Sequence, residues 1–258
     1  MEYLELKELP KEYISFQQVN TFRTCPKRFE IRYLRGIKYP PPIAVARGSA
    51  THKTYSQVLK DKKEKNTTWK ASHVVDFFVN EFDTLIKSQE FKIEDEKPEE
   101  VRDLTIKPLK MCYVGEVKKY EPLGVEEEFK IEFENVGYTL YGVIDLVEKN
   151  NSIVEFKTSK SAPSQQLGLD EQLQFYSIKY PNTTLVKNIL ICQKTNPRYV
   201  QFVWKSDEER AKRLLQVVNQ IAIAIRTGIF YPNPGFNNIN CNMCGYGPKG
   251  LGVCDWWR

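Results

Sequence analysis

Tyr141-Gly-Val-Ile-Asp145-Leu-Val147 and Ile153-Val-Glu155-Phe-Lys157-Thr158 are two apolar runs, five residues apart, that carry ionisable side chains among core-forming ones. Both alternate as strands do, and Asn150-Asn151 between them suits a tight turn, because Asn tolerates positive φ. Side chains alternate across a strand, so Glu155 and Lys157 share one face while Val154 and Phe156 share the other. If the two strands pair as a hairpin, Asp145 lies beside Glu155. An isolated Glu-x-Lys is ordinarily a solvated strand edge, but ionised groups embedded in apolar strands need a partner or a purpose.

The chemistry of such a group is definite. Two neighbouring carboxylates repel unless a cation joins them. Oxygen ligands of this kind suit Mg²⁺ or Mn²⁺, which keep waters and also accept phosphate oxygens. A metal there lowers the pKa of a bound water and polarises a scissile phosphate. The lysine orients the water and balances charge that grows in the transition state.

Outward from these strands the pattern divides the chain. Ser15 opens a capping box with Gln18, followed by Phe16, Val19 and Phe22 at helical spacing. Thr24-Cys25-Pro26 interrupts that helix, and Pro26 starts another that stops at Gly36. Helices are predicted over Arg47–Lys60, Ala71–Ser88 and Val101–Tyr120, with Pro108 a break in the last. Strands are predicted over Gly124–Glu134, Tyr138–Val147, Ser152–Lys157, Leu185–Gln193 and Tyr199–Trp204, and helices over Ser164–Tyr180 and Asp207–Thr227, the latter ended by Gly228. This is an α/β chain. Its organisation is a helical N-terminal region (1–120), a mixed-sheet core flanked by helices (121–230) and a Cys-rich C-terminal tail (231–258) that packs back on the first helix, all as one integrated domain.

The 258 residues carry a formal charge of +5, compatible with a polyanionic partner. Lysine runs such as LKDKKEKNTTWK (59–70) read as solvated helix ends and loops. No apolar run spans a membrane, and the charged amino terminus lacks a leader's apolar core, which places the chain in the cytoplasm. One of the two histidines, His73, reads as structural, and one of Glu126, Glu127 and Glu128 is a candidate to face the metal centre. Six cysteines in such a chain argue against a disulfide framework. Cys241 and Cys244 form a C-x2-C pair, and Cys254 follows through a stretch with Gly245, Gly247, Gly250 and Gly252. Cys112 and Cys192 sit in apolar surroundings and read as core. A fourth thiolate would complete a site for Zn²⁺ or an iron–sulfur cluster.

The segment G-V-I-D-L-V…I-V-E-F-K-T-S-K resembles the core motif of the RecB-like branch of PD-(D/E)XK nucleases, which includes Cas4. His52, in RGSATHKTY, resembles the histidine that completes the metal shell in that branch. Gln172 and Tyr176, four apart and so on one helical face, resemble its Q-h-x-x-Y motif, which contacts DNA and steadies the site. Ser15–Phe29, ending T-C-P-K-R-F, resembles the cysteine segment of cluster-bearing members. The resemblance runs from about Ser15 to Cys254. It implies a restriction-endonuclease-like fold and a Mg²⁺- or Mn²⁺-dependent DNA exonuclease, preferring single-stranded ends. It implies Asp145, Glu155 and Lys157 as catalytic residues, and His52, Asp145, Glu155 and the Phe156 backbone carbonyl as metal ligands. It also implies a [4Fe–4S] cluster, in preference to zinc, on Cys25, Cys241, Cys244 and Cys254. A Cas4-type nuclease trimming DNA for CRISPR adaptation keeps the same chemistry. A DNA-binding scaffold with a relic site is the reading without catalysis.

Overall fold

The structure, a computed structural model, describes residues 13–88, 91, 97–133, 137–161, 170–235 and 238–257. The chain forms two compact units. One gathers Pro40–Glu128 with Val143–Glu208, and the other gathers Met1–Tyr39, Phe129–Gly142 and Glu209–Arg258. Six strands, β1 (Tyr13–Ser15), β2 (Pro122–Phe133), β3 (Tyr138–Glu148), β4 (Ser152–Ser159), β5 (Thr184–Ile191) and β6 (Arg198–Lys205), make a mixed sheet. Its order is β1-β3-β4-β5-β6, and β2 also pairs with β3. The β1/β3 and β4/β5 pairs are parallel, while β3/β4 and β5/β6 are antiparallel. The fold is the restriction-endonuclease-like α/β arrangement.

In the first unit, α3 (Ala44–Lys65) and α5 (Pro98–Gly115) pack on the sheet, α4 (Ala71–Ser88) packs on α3 and α5, and α6 (Glu171–Tyr176) lies against β4 and β5. Their shared core holds Tyr55, Leu109, Leu146, Val154, Phe156 and Leu190. Phe156 is 1% exposed, with its ring 4.9 Å from that of Tyr55. Locking Phe156 on the core side turns Glu155 and Lys157 to the other face, as strand alternation requires. Cys112 and Cys192 belong to this core. Pro108 lies inside α5 without ending it, and Asn151 makes the β3–β4 turn at φ +62°.

In the second unit, Ser15 caps α1 (Phe16–Thr24) through both bonds of the capping box. The Gln18 amide carbonyl accepts from Ser15 N–H at 2.7 Å, and Ser15 Oγ accepts from Gln18 N–H at 3.4 Å. Cys25 breaks the helix in extended geometry, and Pro26 starts α2 (Pro26–Phe29), which continues as a π-helical turn over Glu30–Leu34. Gly36 follows at φ +66°. The unit also contains α7 (Glu208–Arg226) from Glu209 onward and the short α8 (Ile239–Asn242). Gly228, just past α7, sits at φ +73°. The helix predicted from Ser164 begins within the described residues only at Glu171, and residues 162–169 of that expectation lie outside them. Among the described residues, no helix is long and apolar enough to cross a membrane.

Candidate active site

The site begins where two strands part. β3 and β4 pair through Leu146↔Val154 and Val147↔Ile153. In that register Asp145 would next face Glu155 and Ile144 would face Phe156, but the paired rungs end at Leu146, and the Phe156 N–H donates instead to Asp145 Oδ2 at 2.8 Å. A side chain has taken the place of a backbone carbonyl, so the strands diverge and leave room between Asp145 and Glu155. The N–H and C=O of one residue lie on the same edge of an extended strand, so the Phe156 carbonyl faces this gap too.

Four more side chains close on it. Lys157 ion-pairs with Glu155 Oε1. Gln172 Nε2 donates to the same oxygen at 2.9 Å and lies 2.7 Å from the Tyr176 hydroxyl. His52 Nδ1 is 3.1 Å from Asp145 Oδ1. All seven residues predicted from sequence for this site, the Phe156 backbone among them, thus lie around one opening. Their supports were not predicted. Arg47, 4% exposed, donates from Nε to Thr158 Oγ1 at 3.2 Å and ties α3 to the end of β4. Asp170 caps α6 through Leu173 N–H and pairs with Lys187, which stands beside Glu155 in the parallel β4/β5 register. A lysine in the apolar run TLVKNILI was the available signal.

The electrostatics are unbalanced. Glu155 is 2% exposed, and its Oε2 is buried with no hydrogen-bond partner. Burial, then the charge of Asp145, pushes its carboxyl up to about 7. Burial opposes the charged form of His52, yet Asp145 outweighs it and holds the imidazole above its usual value. Lys157 is likewise raised, burial opposing and Glu155 prevailing. Burial, and after it the charge of Glu155, keeps the Tyr176 phenol neutral. A buried carboxylate oxygen without a donor, beside a second carboxylate and an imidazole, fits a divalent cation; here the Lys157 ammonium supplies the positive charge on Glu155 instead. Among the described residues, no three His, Cys, Asp or Glu side chains close on one point as a formed metal centre. The exposed His73 takes no part.

Cys241, Cys244 and Cys254, grouped by spacing, and Cys25, implied by the resemblance, line one cavity in the other unit, with Arg28, Asn233, Asn240 and Tyr246 among its walls. None of the four is in a disulfide. The Asn233 N–H points at Cys25 Sγ, 3.4 Å away. The tail's glycines make its wrap possible: a Cβ on Gly250 would stand 2.2 Å from the Gly245 carbonyl oxygen, and one on Gly247 2.5 Å from that of Cys241.

A family model described as the PD-(D/E)XK nuclease superfamily matches residues 13–248 and stops short of Cys254. No curated protein matches the chain. Solved structures similar to it include two of low sequence identity. One, a candidate exonuclease from Eubacterium rectale, has 15% identity and a TM-score of 0.49, covering 91% of this chain and 86% of that one. The other, SSO0001, has 16% identity and a TM-score of 0.34, covering 80% and 84%.

Proposed function

Because the chain belongs to the PD-(D/E)XK nuclease superfamily, we propose that it is a Mg²⁺- or Mn²⁺-dependent deoxyribonuclease acting inside the cell as an exonuclease on single-stranded DNA ends. The observation that carries this reading is the orphaned Glu155 Oε2 of a carboxylate that lies close to both Asp145 and His52. Asp145, Glu155 and His52, with the Phe156 carbonyl, would hold the cation. When bound, the metal supplies Lewis acidity, polarising the phosphate and acidifying a water.

The protein's own groups do the rest. Gln172 fixes the Glu155 carboxylate from the α6 side, and Tyr176 holds that amide in place. Lys157, whose ammonium ion-pairs with Glu155, would orient the attacking water and balance the charge growing on the phosphate oxygens. The Asp145 bond to the Phe156 N–H fixes the carboxylate that divides the strands. The preference for ends and single strands rests on the RecB-like motif set, including Gln172 and Tyr176.

In the same reading Cys25, Cys241, Cys244 and Cys254 hold a [4Fe–4S] cluster. Bound, it joins chain segments far apart in sequence and so favours the folded state.

The test is digestion of end-labelled single-stranded DNA with Mn²⁺ or Mg²⁺, comparing wild type with Lys157→Ala. Metal-dependent degradation by wild type is expected, with cleavage reduced roughly 10²-fold or more in a variant of unchanged fold. Equal inactivity of both, in folded protein with its iron present, would favour a DNA-binding scaffold instead.

A further inference from the structure

Along α3, His52, Ser56 and Lys60 recur at every fourth residue and therefore project from one side of the helix. His52 meets Asp145. At the far end Lys60 is ion-paired with Glu126 of β2. Ser56 lies near enough to Glu126 to favour its ionised form, and Glu126 also feels the negative charge of Asp145. A row of three polar side chains thus leads from the candidate metal ligands to a neighbouring carboxylate. LKDKKEK reads from sequence as a solvated run, yet Lys60 is held here and Lys62 donates to the Tyr120 carbonyl at 2.6 Å. Of the Glu126–Glu128 run, Glu126 is the residue that reaches toward the site.

Its position depends on a backbone exception. Five non-glycine residues among those described have positive φ, and four are Asn, which tolerates it; the fifth is Glu126, at +51° and inside a strand. The buried positions of β2 are Pro122 and Gly124 before it and Phe129 after it. That change of parity marks a one-residue slip, a β-bulge. Bulges re-aim side chains, and glycine is the residue that adopts this backbone without strain. A glutamate kept there points to its carboxylate as the useful part.

We propose that Glu126 stands in for a substrate phosphate, holding Lys60 and Ser56 ready for a nucleic-acid backbone that lies along α3. The proposal rests on the nuclease reading above and adds a binding position to it. An ammonium and a hydroxyl are groups that bind phosphate oxygens and set the register of a strand. Lys60 and Glu126 are 38% and 46% exposed at the side chain, so the pair is weak and a phosphate can displace the carboxylate. Lys60 lies about 12 Å along the helix axis from His52. It therefore serves a phosphate neighbouring the scissile one, and Lys60 is a positioning residue.

The experiment measures binding of a fluorescent single-stranded 12-mer by anisotropy across a salt series, in the full chain carrying Lys157→Ala to prevent turnover. Adding Lys60→Ala is expected to weaken binding about tenfold at low salt and to flatten the slope of log K against log salt by roughly 0.7. Lys60→Arg should restore both, and Glu126→Gln should tighten binding. With Lys157 intact, Lys60→Ala should raise KM and leave kcat within about twofold. Unchanged affinity and slope in Lys60→Ala, failure of Lys60→Arg to rescue, or weaker binding in Glu126→Gln would each overturn the proposal while leaving the nuclease reading in place. No binding by any variant, the parent included, together with no cleavage by wild type, would remove both.

Discussion

Glu155 is where function and stability pull in opposite directions. Its carboxyl ionises near 7 in the folded chain against an ordinary value of 4.5. The folded state therefore holds this proton more tightly than the unfolded state. The stability it contributes is complete below about pH 4.5 and is lost as pH rises through about 7. Above that, ionised Glu155 costs the cation-free protein about 3 kcal/mol at most. Glu155→Gln fixes the neutral form, so in EDTA it is expected to exceed wild type in urea stability at pH 8, with the difference closing toward pH 5. A difference that stays flat across that range would count against a buried charge. Such a residue was legible in the sequence because Asp145 and Glu155 both sit inside apolar runs, where an ionised group needs a partner or a purpose. The pairing of Lys60 with Glu126 was not, since it depends on a left-handed backbone angle that no residue type in EEEF announces.

Among the elements, α1 shows how much local chemistry decides and where it stops. Ser15 and Gln18 announced the cap, and both of its bonds are present. Ser15→Ala is expected to cost about 1 kcal/mol and to speed hydrogen exchange at the Gln18 amide first; unchanged exchange there would show that the cap contributes nothing. The helix matters beyond its nine residues because Cys25 is its C-cap. β1, three residues long and parallel to β3, was invisible because its partner lies more than a hundred residues away. The parallel β4/β5 pairing was hidden for a different reason: periodicity reports which face is buried and never which strand lies alongside. The gap between β3 and β4 required one more fact, that Asp145 would replace a ladder carbonyl with its own carboxylate.

For the whole molecule, the arrangement of the cysteines has the largest reach. Their grouping was legible as a C-x2-C pair with outliers, while their convergence on one cavity with Asn233 and Tyr246 needed the fold. If the proposed cluster is bound, Cys25→Ala is expected to lose iron and several kcal/mol of stability together, read by iron analysis and urea denaturation of anaerobically purified protein. A full iron complement in that variant would remove Cys25 from the ligand set. The unit that holds this cavity is assembled from three separate stretches of chain, the last of them C-terminal. That division has a consequence during synthesis. At about 5–20 residues per second, the ribosome releases Cys254 some 10–50 s after Cys25. Val19, Phe22, Phe29 and Ile31, all buried in the finished protein, must wait through that interval for Phe230, whose ring lies within 6.4 Å of both phenylalanines. Until then these apolar side chains lack that partner on the nascent chain, and the cysteine cavity cannot close before Cys254 has emerged.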